Sequence, residues 1–403
     1  MSEQARSAAG NGLSPETLTG DASHLFAAVR RTEPVSWAPL LDSWIVTGYD
    51  EAVAVMRDAE RFTVDDPRFT SAAVLGRSML SLDGPEHRAH RTPFLEPFGR
   101  GTVRGDYQGD LDVDARRLVA AMRVRGEAEL RTELAGPLAT NTITRVLGLG
   151  ADPATVLEWY RHISDGVVQL ADHGRVSDTS QAAASDLLSL LVEAMQTTTR
   201  VDEPSRLAAI AATSDLAPDA LAPSAAIVLF GAIETSEAMT ANLLWHLLTS
   251  NDALASISAD RTLIARAIDE SLRLEPAAAL VERFATSDVA VPVAPTDGPP
   301  SSVPIRKGDP VIVSLNAANR DPRRFVDPDR FDIHRANAHR HLAFAQGPHA
   351  CLGAHLARAE TTAALTAVLD ALPGISLDTS RSTPPDGRVF RKPPSVTATW
   401  PTS

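Results

Sequence analysis

The chain has 403 residues, of which 44% are hydrophobic and 22% are charged, and this composition favours a folded globular protein over a disordered one. Its net charge of -13 argues against nucleic acid as a partner, because phosphate binding usually needs a basic field. The single cysteine, Cys351, excludes an intrachain disulfide and the CxxC pairs of zinc or iron-sulfur sites.

The N-terminal residues are polar and lack the positive start and apolar run of a secretory signal. We predict a flexible tail over residues 1–20 and a single domain over residues 21–403. The most apolar stretch is interrupted by Glu234 and Thr235 before it reaches the ~20 apolar residues of a membrane-spanning helix. We therefore expect a cytoplasmic protein with no membrane partner.

The pattern of apolar residues predicts a mainly α fold with a small β region. A strand-like segment comes first, over residues 35–47, and two more follow at 311–315 and 396–400. A run rich in Pro and Gly, over residues 291–304, predicts a hairpin or surface loop between strands. The predicted helices, including one long central helix, are residues 110–123, 134–147, 154–170, 180–197, 219–248, 263–274 and 351–372.

A helical segment near the N-terminus, DGPEHRAHR, places His87 and Arg91 four residues apart and so on one face. Two cations one turn apart suit a carboxylate ligand, although the same spacing is common on solvent-exposed helices. Arg88 and His90 point elsewhere on this helix, and we expect both to face solvent.

The long central helix carries a polar pair, Glu234 and Thr235, inside an apolar run. A buried acid beside a hydroxyl is costly unless both are satisfied, so the pair indicates a function. The alternative is a Thr that bonds to a carbonyl of its own helix and a Glu that reaches solvent.

The segment around Cys351 precedes or opens a helix, where free N–H groups and the helix dipole lower a thiol pKa. Gly347 permits a turn that a bulkier residue would strain, and Gly353 lets a flat macrocycle approach the backbone. Phe344, Gly347, His349, Cys351 and Gly353 follow the spacing F-x-x-G-x-H-x-C-x-G.

This spacing resembles the thiolate loop of cytochromes P450, with Ala345 where that family often has Gly. The resemblance implies haem b as cofactor and Cys351 as its axial iron ligand, a thiolate that favours O–O cleavage. It also implies that Phe344 packs beside the sulfur. Four residues from three segments are then expected to bind the haem propionates: His87, Arg91, Arg283 and His349.

Two further segments extend the resemblance toward the N-terminal side of this loop. Glu270 and Arg273, three residues apart, resemble the family's E-x-x-R helix, and Arg283 follows in the strand after it. The segment over residues 318–335 resembles the family's meander. Its Arg330 is expected to join Glu270 and Arg273 in a buried charge network, whose role is structural rather than catalytic.

The central helix resembles the family's oxygen-binding motif, A/G-G-x-D/E-T-T/S. By this resemblance Thr235 orients dioxygen and its waters, while Glu234 feeds the proton relay. Ala232 stands where Gly is common, and its methyl group would narrow the groove that a Gly opens.

The resemblance implies a haem-thiolate monooxygenase that inserts one oxygen atom of O2 into a small or medium apolar substrate. The chain carries no flavin or iron-sulfur module, so electrons are expected from a separate ferredoxin and ferredoxin reductase. One alternative is peroxide-driven or oxidative coupling chemistry at the same site. Another is a non-enzymatic haem sensor or carrier, which would have no use for a proton relay at Glu234 and Thr235.

Two surfaces are expected around the cofactor. The substrate pocket should be apolar and lined by Val64, Leu80, Val168, Ile227, Val228, Gly231, Leu280 and Phe390. The electron donor should dock on the thiolate side, on a basic patch formed by Arg88, Arg100, Arg340 and Arg358. Four ordinary surface arginines are the alternative reading of that patch.

Overall fold

The computed structural model describes residues 9–69, 72, 75–173, 176–196 and 206–402. Helices form most of the molecule, which confirms the mainly α class predicted from the apolar spacing. Their bounds are α1 (Pro15–Thr19), α2 (Ser23–Thr32), α3 (Tyr49–Arg57), α4 (Gly84–Arg91), α5 (Arg100–Thr102), α6 (Gln108–Arg123), α7 (Gly136–Leu147), α8 (Pro153–His173), α9 (Asp178–Gln196), α10 (Arg206–Ala212), α11 (Pro218–Leu248), α12 (Asn251–Ala259), α13 (Ile264–Leu274), α14 (Leu315–Ala318) and α15 (Ala354–Ala371).

In the described ranges the strands are short and form three small sheets. They are β1 (Val35–Ala38), β2 (Ser43–Val46), β3 (Phe62–Thr63), β4 (Glu127–Glu129), β5 (Leu280–Ala285), β6 (Val289–Val293), β7 (Ser301–Ile305), β8 (Pro310–Ser314), β9 (Ser376–Leu377) and β10 (Thr397–Thr399). One sheet has the order β1-β2-β8-β5-β3, another the order β4-β10-β9, and β6 pairs with β7. The β2–β8 pair is parallel, and the other pairs are antiparallel.

Two of the predicted strand regions are hairpins. The strand-like segment over residues 35–47 divides into β1 and β2 because Pro39–Leu41 forms a short 3-10 turn, and Asp42 closes it with a φ of 46°. The Pro- and Gly-rich run over residues 291–304 contains the turn between β6 and β7, so the predicted hairpin is confirmed. Both turns place residues with restricted backbone freedom where the chain reverses.

The helices enclose one large apolar core, and α11 runs through it. This helix is long and apolar enough to span a membrane, yet 83% of its most apolar window is buried inside the protein. It is apolar on every side because other helices cover it, as is usual for a central core helix. A second core packs β1, β2, β8 and the β6–β7 hairpin against α3.

Part of the segment predicted as a flexible tail packs against this body. Leu13 and Leu18 are almost completely buried in a third cluster, together with Phe26 and Ile45. Ser14 caps α1, where its side chain accepts a hydrogen bond from the Thr17 N–H group. The described residues from position 9 onward therefore contribute to the core, and residues 1–8 lie outside the described part of the chain.

Candidate active site

The thiolate loop is held in its turn by a glycine and a backbone hydrogen bond. Gly347 has a φ of +78°, and a Cβ atom there would lie 2.5 Å from the Met56 carbonyl oxygen, so no other residue fits. The Cys351 N–H group donates to the Phe344 carbonyl at 2.8 Å. Helix α15 begins at Ala354, so the predicted helix begins three residues later than expected and Cys351 lies just ahead of it.

Opposing influences act on the Cys351 thiol. Its side chain keeps accessible surface, but the surrounding protein desolvates the sulfur and raises the thiol pKa above its usual value. Hydrogen bonds from the Gly353 and Ala354 N–H groups and the positive charge of Arg91 act in the opposite direction. The hydrogen bonds at the helix terminus thus lower the thiol pKa as the sequence predicted. Burial has the larger effect, so the net change in the thiol pKa is an increase.

Ala345 adopts a left-handed conformation with a φ of 55°. A side chain in this region costs about 1–2 kcal/mol, because its Cβ crowds the following carbonyl. The departure from Gly at this position therefore places strain in the turn between Phe344 and Gly347.

His87 and His349 come together from α4 and the thiolate loop. The centroids of their rings lie 4.4 Å apart, and His349 Nε2 is 2.8 Å from Asp83 Oδ1. Asp83 also accepts from the Thr63 hydroxyl at 2.6 Å and from the Val64 N–H group at 2.9 Å. Although burial raises the pKa of Asp83, these hydrogen bonds lower it to about 2. A fixed carboxylate therefore orients His349.

The two predicted arginines join the same group. Arg91 donates to the Ala350 carbonyl at 2.6 Å, which ties α4 to the thiolate loop. Arg283 is only 4% exposed, donates to the Glu282 carbonyl at 2.7 Å, and has its pKa lowered to about 10 by burial. Burial likewise lowers the pKa of His87 to about 4, with the charges of His349 and Arg91 contributing. The structure thus brings together all four predicted propionate ligands.

These residues fit a haem. His87 Nε2 is buried and has no hydrogen-bond partner among the described residues, so it is free to bind a polar group. A Cβ atom at Gly231 or Gly353 would meet open space within 4 Å. No group of three or more His, Cys, Asp and Glu side chains in the described ranges could hold a bare metal ion. A single thiol beside the guanidinium groups of Arg91 and Arg283, which donate to backbone carbonyls rather than to carboxylates, suits a haem iron and its carboxylates.

The polar pair of α11 makes two different kinds of contact. The Thr235 hydroxyl donates to the Gly231 carbonyl at 2.6 Å, as the structural alternative expected. Glu234 does not reach solvent: it is 4% exposed and its Oε1 lies 3.0 Å from Lys392 Nζ. Burial raises the pKa of Glu234, and the nearby Lys392 charge opposes that rise. Helix α11 is continuous through Ala232, the residue that stands where the family commonly has Gly.

The predicted pocket residues on α11 lie beside an aromatic group. The ring centroids of Phe390 and Phe230 lie 6.0 Å apart, and those of Phe230 and Tyr160 lie 5.6 Å apart. This side of α11 is therefore apolar. The predicted residues that belong to the helix core or pack against it are Ile227, Val228 and Phe390, with Gly231 facing open space.

The other predicted pocket residues are placed differently. Val64 is buried in a small separate cluster with Phe69 and Phe284, and Leu280 packs against the N-terminal cluster. Leu80 is 37% exposed. Val168 lies in α8, but its side chain is outside the described part of the chain. Val64 and Leu280 thus complete other clusters rather than the core that contains α11.

The buried charge network forms with one different member. Arg273 donates to both carboxylate oxygens of Glu270 at 2.8 Å, and both side chains are fully buried. The third charged side chain is Arg335, whose Nε lies 3.0 Å from Glu270. Arg330 is exposed and contributes only its backbone carbonyl, which accepts from Arg273 at 3.1 Å. The prediction for Arg330 is therefore wrong, because several arginines of one meander are equivalent in the sequence.

His90 is also placed differently from expectation. Its Nδ1 lies 3.0 Å from the Ser224 hydroxyl of α11, so the ring does not simply face solvent. The same hydroxyl accepts from the Met79 N–H group at 3.0 Å. Arg88 is exposed as predicted. Ser224 therefore links α4 and the segment before it to the central helix.

Sequence reasoning missed the partners of Glu234 and a second buried acid. Lys392 is distant from Glu234 in the sequence, and Glu237 is hidden in the apolar run of α11. No local spacing marks either residue as belonging to the charge cluster of Glu234. Burial raises the pKa of Glu360, on α15, to about 8, and a hydrogen bond with Ser236 of α11 opposes the rise. Polar residues inside a predicted core helix were the available signal for Glu237 and Glu360.

Comparisons with known proteins identify the family of this chain. The family model described as Cytochrome P450 matches residues 255–394. Cytochrome P450 monooxygenase PikC of Streptomyces venezuelae is 36% identical over 352 residues, covering 84% of this chain and 80% of that protein. Nocardicin C N-oxygenase of Nocardia uniformis subsp. tsuyamanensis is 31% identical over 375 residues, covering 89% of this chain and 90% of that protein.

A solved structure shows the same architecture. P450BioI, solved in complex with hexadec-9Z-enoic acid ligated Acyl Carrier Protein, superposes with a TM-score of 0.84 at 26% identity. The match covers 96% of this chain and 100% of that one. The relatives, the fold and the thiolate loop agree: this chain belongs to the cytochrome P450 family and is a monooxygenase, an oxidoreductase whose cofactor is haem b.

Proposed function

We propose that this cytoplasmic monooxygenase inserts one oxygen atom of O2 into a small or medium apolar substrate, using electrons from a separate ferredoxin and its reductase. The observation that carries the proposal is the placement of Glu234 and Thr235. They lie on the same helix as Ile227, Val228 and Gly231, beside the aromatic group that includes Phe390. An apolar wall next to a buried acid and a hydroxyl suits oxygen insertion into a C–H bond.

Each group in the site has a role that its surroundings support. Haem, when bound, supplies the redox chemistry of oxygen activation. Cys351 provides the sulfur ligand, and the four propionate residues named above hold the haem carboxylates through charge-assisted hydrogen bonds. The Thr235 hydroxyl can exchange its bond to Gly231 for one to a water or to oxygen. Glu234 moves protons toward that hydroxyl.

The relatives leave the identity of the substrate open. Those similar to this chain include a nocardicin C N-oxygenase, a 20-oxo-5-O-mycaminosyltylactone 23-monooxygenase and a vitamin D3 dihydroxylase. These names describe different compounds, so the family supplies the chemistry and not the molecule. A screen for compounds that shift the ferric haem from low to high spin identifies candidate substrates directly.

The proposed ferredoxin would dock on exposed arginines of the thiolate side. Arg88, Arg100 and Arg340 are exposed and available for such a patch. Arg358 is less available, because its guanidinium lies 2.5 Å from Asp269. A docking surface of this kind predicts that the rate of reduction falls as ionic strength rises. A rate that is insensitive to salt would contradict the patch.

The ligand assignment is tested with Cys351→His. We expect the reduced carbonyl complex of the parent to show the absorption of thiolate-ligated haem, and the variant to lose it. A variant that keeps the thiolate spectrum would overturn the assignment of Cys351.

The assignment of the oxygen chemistry is tested with Thr235→Ala. Thr249→Ala is a matched control, because Thr249 lies at the end of α11 and bonds to the Trp245 carbonyl in the same manner, at 2.7 Å. We expect Thr235→Ala to keep the carbonyl spectrum while reductant is consumed to form peroxide, since losing a positioned proton donor costs ~10²–10⁴-fold in the step it serves. An unchanged ratio of product to reductant would contradict the role of Thr235.

A further inference from the structure

One charged residue beside Glu234 of α11 has no role in the chemistry described so far. Of the 38 Lys and Arg residues, only Lys307 and Lys392 are lysines. Lys307 is exposed beside the β6–β7 hairpin. The Lys392 ammonium, in contrast, lies 3.0 Å from Glu234 and 3.6 Å from Glu237, and only 21% of its side chain is exposed. The chain thus places one of its two lysines against the acid of α11.

The segment that carries Lys392 is fixed from the other side. Arg391 is buried and its Nε lies 2.5 Å from Glu275. Its Nη1 also donates to the carbonyls of Gly20 at 2.8 Å and Gly387 at 2.9 Å. Neighbouring residues of an extended segment point to opposite sides. Arg391 therefore anchors the backbone while the residues on either side of it face α11.

Those two residues contact successive turns of the central helix. Phe390 packs against Phe230, and Lys392 pairs with Glu234 four residues later. The Lys392–Glu234 pair is therefore built by a fixed backbone, unlike a flexible surface ion pair whose worth is small.

The charges around Glu234 give Lys392 a specific task. The groups that act on the Glu234 carboxylate are Lys392, Glu237 and Arg131. Arg131 is already engaged, because its Nη1 lies 2.7 Å from Glu237. Lys392 is the only ion-pair partner of Glu234 among the described residues. Without it, a buried carboxylate beside Glu237 would have no direct counter-charge.

We infer that Lys392 is a positioning residue that holds the Glu234 carboxylate ionised and turned toward the C-terminal segment, so that proton delivery requires this ion pair to open. The inference rests on the proposed role of Glu234 in moving protons. A lysine suits the task because a single ammonium on a flexible stem can release one carboxylate and remain near Glu237.

The first test reads the ionisation of Glu234 without turnover. Removing a counter-charge within 4 Å shifts a carboxyl pKa upward by ~1–3 units. We expect Lys392→Met to show, by infrared spectroscopy at neutral pH, an additional band of a protonated buried carboxylic acid. This band should disappear when Glu234→Gln is added to Lys392→Met. It should also be absent in the conservative variant Lys392→Arg and in the control Lys307→Met. Because burial raises the pKa of Glu360 to about 8, we expect this acid to contribute a signal that is the same in all variants.

The second test uses the pH profile of the ratio of product to reductant. We expect the limb that reports Glu234 to move to higher pH by ~1–3 units in Lys392→Met, and to return in Lys392→Arg. No added infrared band together with an unchanged profile would overturn the inference. If Glu234→Gln alone leaves the product ratio unchanged, the proposed relay is wrong, while the infrared result still decides whether Lys392 sets the charge of Glu234.

A third measurement keeps the inference testable if Lys392→Met does not fold. Protein labelled with ¹⁵N-lysine contains two side-chain ammonium groups, and the reduced carbonyl form is diamagnetic. Glu234→Gln should shift the Lys392 signal and leave the Lys307 signal in place. If both signals stay in place, the ion pair is absent in solution and the inference fails.

Discussion

Two buried charge clusters of this protein are built in opposite ways. The Glu270 cluster consists of Glu270, Arg273 and Arg335, and Arg273 alone donates to both oxygens of Glu270 and to the carbonyls of Asn319, Pro328 and Arg330. The Glu234 cluster consists of Glu234, Lys392, Glu237 and Arg131, and within the described part of the chain Glu234 has a single ion-pair partner. The central acid of the first cluster accepts from several donors, whereas the structure describes one ion pair for the central acid of the second.

This difference separates a structural cluster from one that can change partners. A buried charge whose donors are all satisfied cannot move without leaving several polar groups unpaired. A carboxylate held by one ammonium can be released by a single side-chain rotation, because the lysine keeps a second carboxylate nearby. The number of partners therefore indicates which acid is fixed and which is available for proton transfer.

The largest effect is expected from Arg273→Met. The variant leaves the Glu270 carboxylate without its bidentate partner, which costs about 3–5 kcal/mol. Urea unfolding, followed by the loss of the haem spectrum, measures this change in the free energy of unfolding. A cost below about 1 kcal/mol would mean that the Glu270 cluster does not stabilise the fold. The proposed difference between this structural cluster and the Glu234 cluster would then be wrong.

A smaller effect separates Arg335 from Arg330. Arg335→Met removes hydrogen bonds to a buried carboxylate that still keeps Arg273, so we expect a loss of about 1–3 kcal/mol. Arg330→Met is the matched control, because its side chain is exposed, and it should change stability by no more than about 0.5 kcal/mol. Equal losses in the same unfolding experiment would restore Arg330 as the charged member of the cluster.

Acid should weaken the region around the Glu270 cluster. Burial lowers the pKa of His246 to about 3, and the charges of Arg320 and Arg273 contribute. Because the unfolded residue titrates near 6.5, the unfolded state binds more protons between these values, and stability falls as pH decreases from about 6.5 toward 3. The slope from this residue is at most about 1.4 kcal/mol per pH unit. His246→Gln should reduce the slope measured between pH 7 and pH 5, and an unchanged slope would contradict this.

Among the substitutions of buried charged side chains, the smallest change in stability is expected from Glu234→Gln. The variant removes a buried charge and its single ion pair together, and Lys392 keeps Glu237 at 3.6 Å, so stability should change by about 1 kcal/mol or less. The ratio of product to reductant should nevertheless fall, because the amide cannot pass protons. A stability loss as large as that of Arg273→Met would place Glu234 with the structural acids.

The sequence by itself determined the parts of this protein that lie in local patterns. The spacing from Phe344 to Gly353 indicated a thiolate loop and a family, and the comparisons confirmed the family. Apolar spacing predicted seven of the helices to within a few residues, since a helix buries one side at a fixed period. The polar pair in α11 was visible because acids are rare inside apolar helices.

Only the tertiary structure decided which distant side chains meet. Lys392 lies far along the chain from Glu234, and Arg335 replaced Arg330 although both belong to one arginine-rich meander. Val64 and Leu280 joined other clusters because a strand or loop residue has two faces, and the sheet decides which one is covered. Periodicity along the chain fixes which residues share a face, whereas the packing of elements from remote segments fixes the partner of each buried charge.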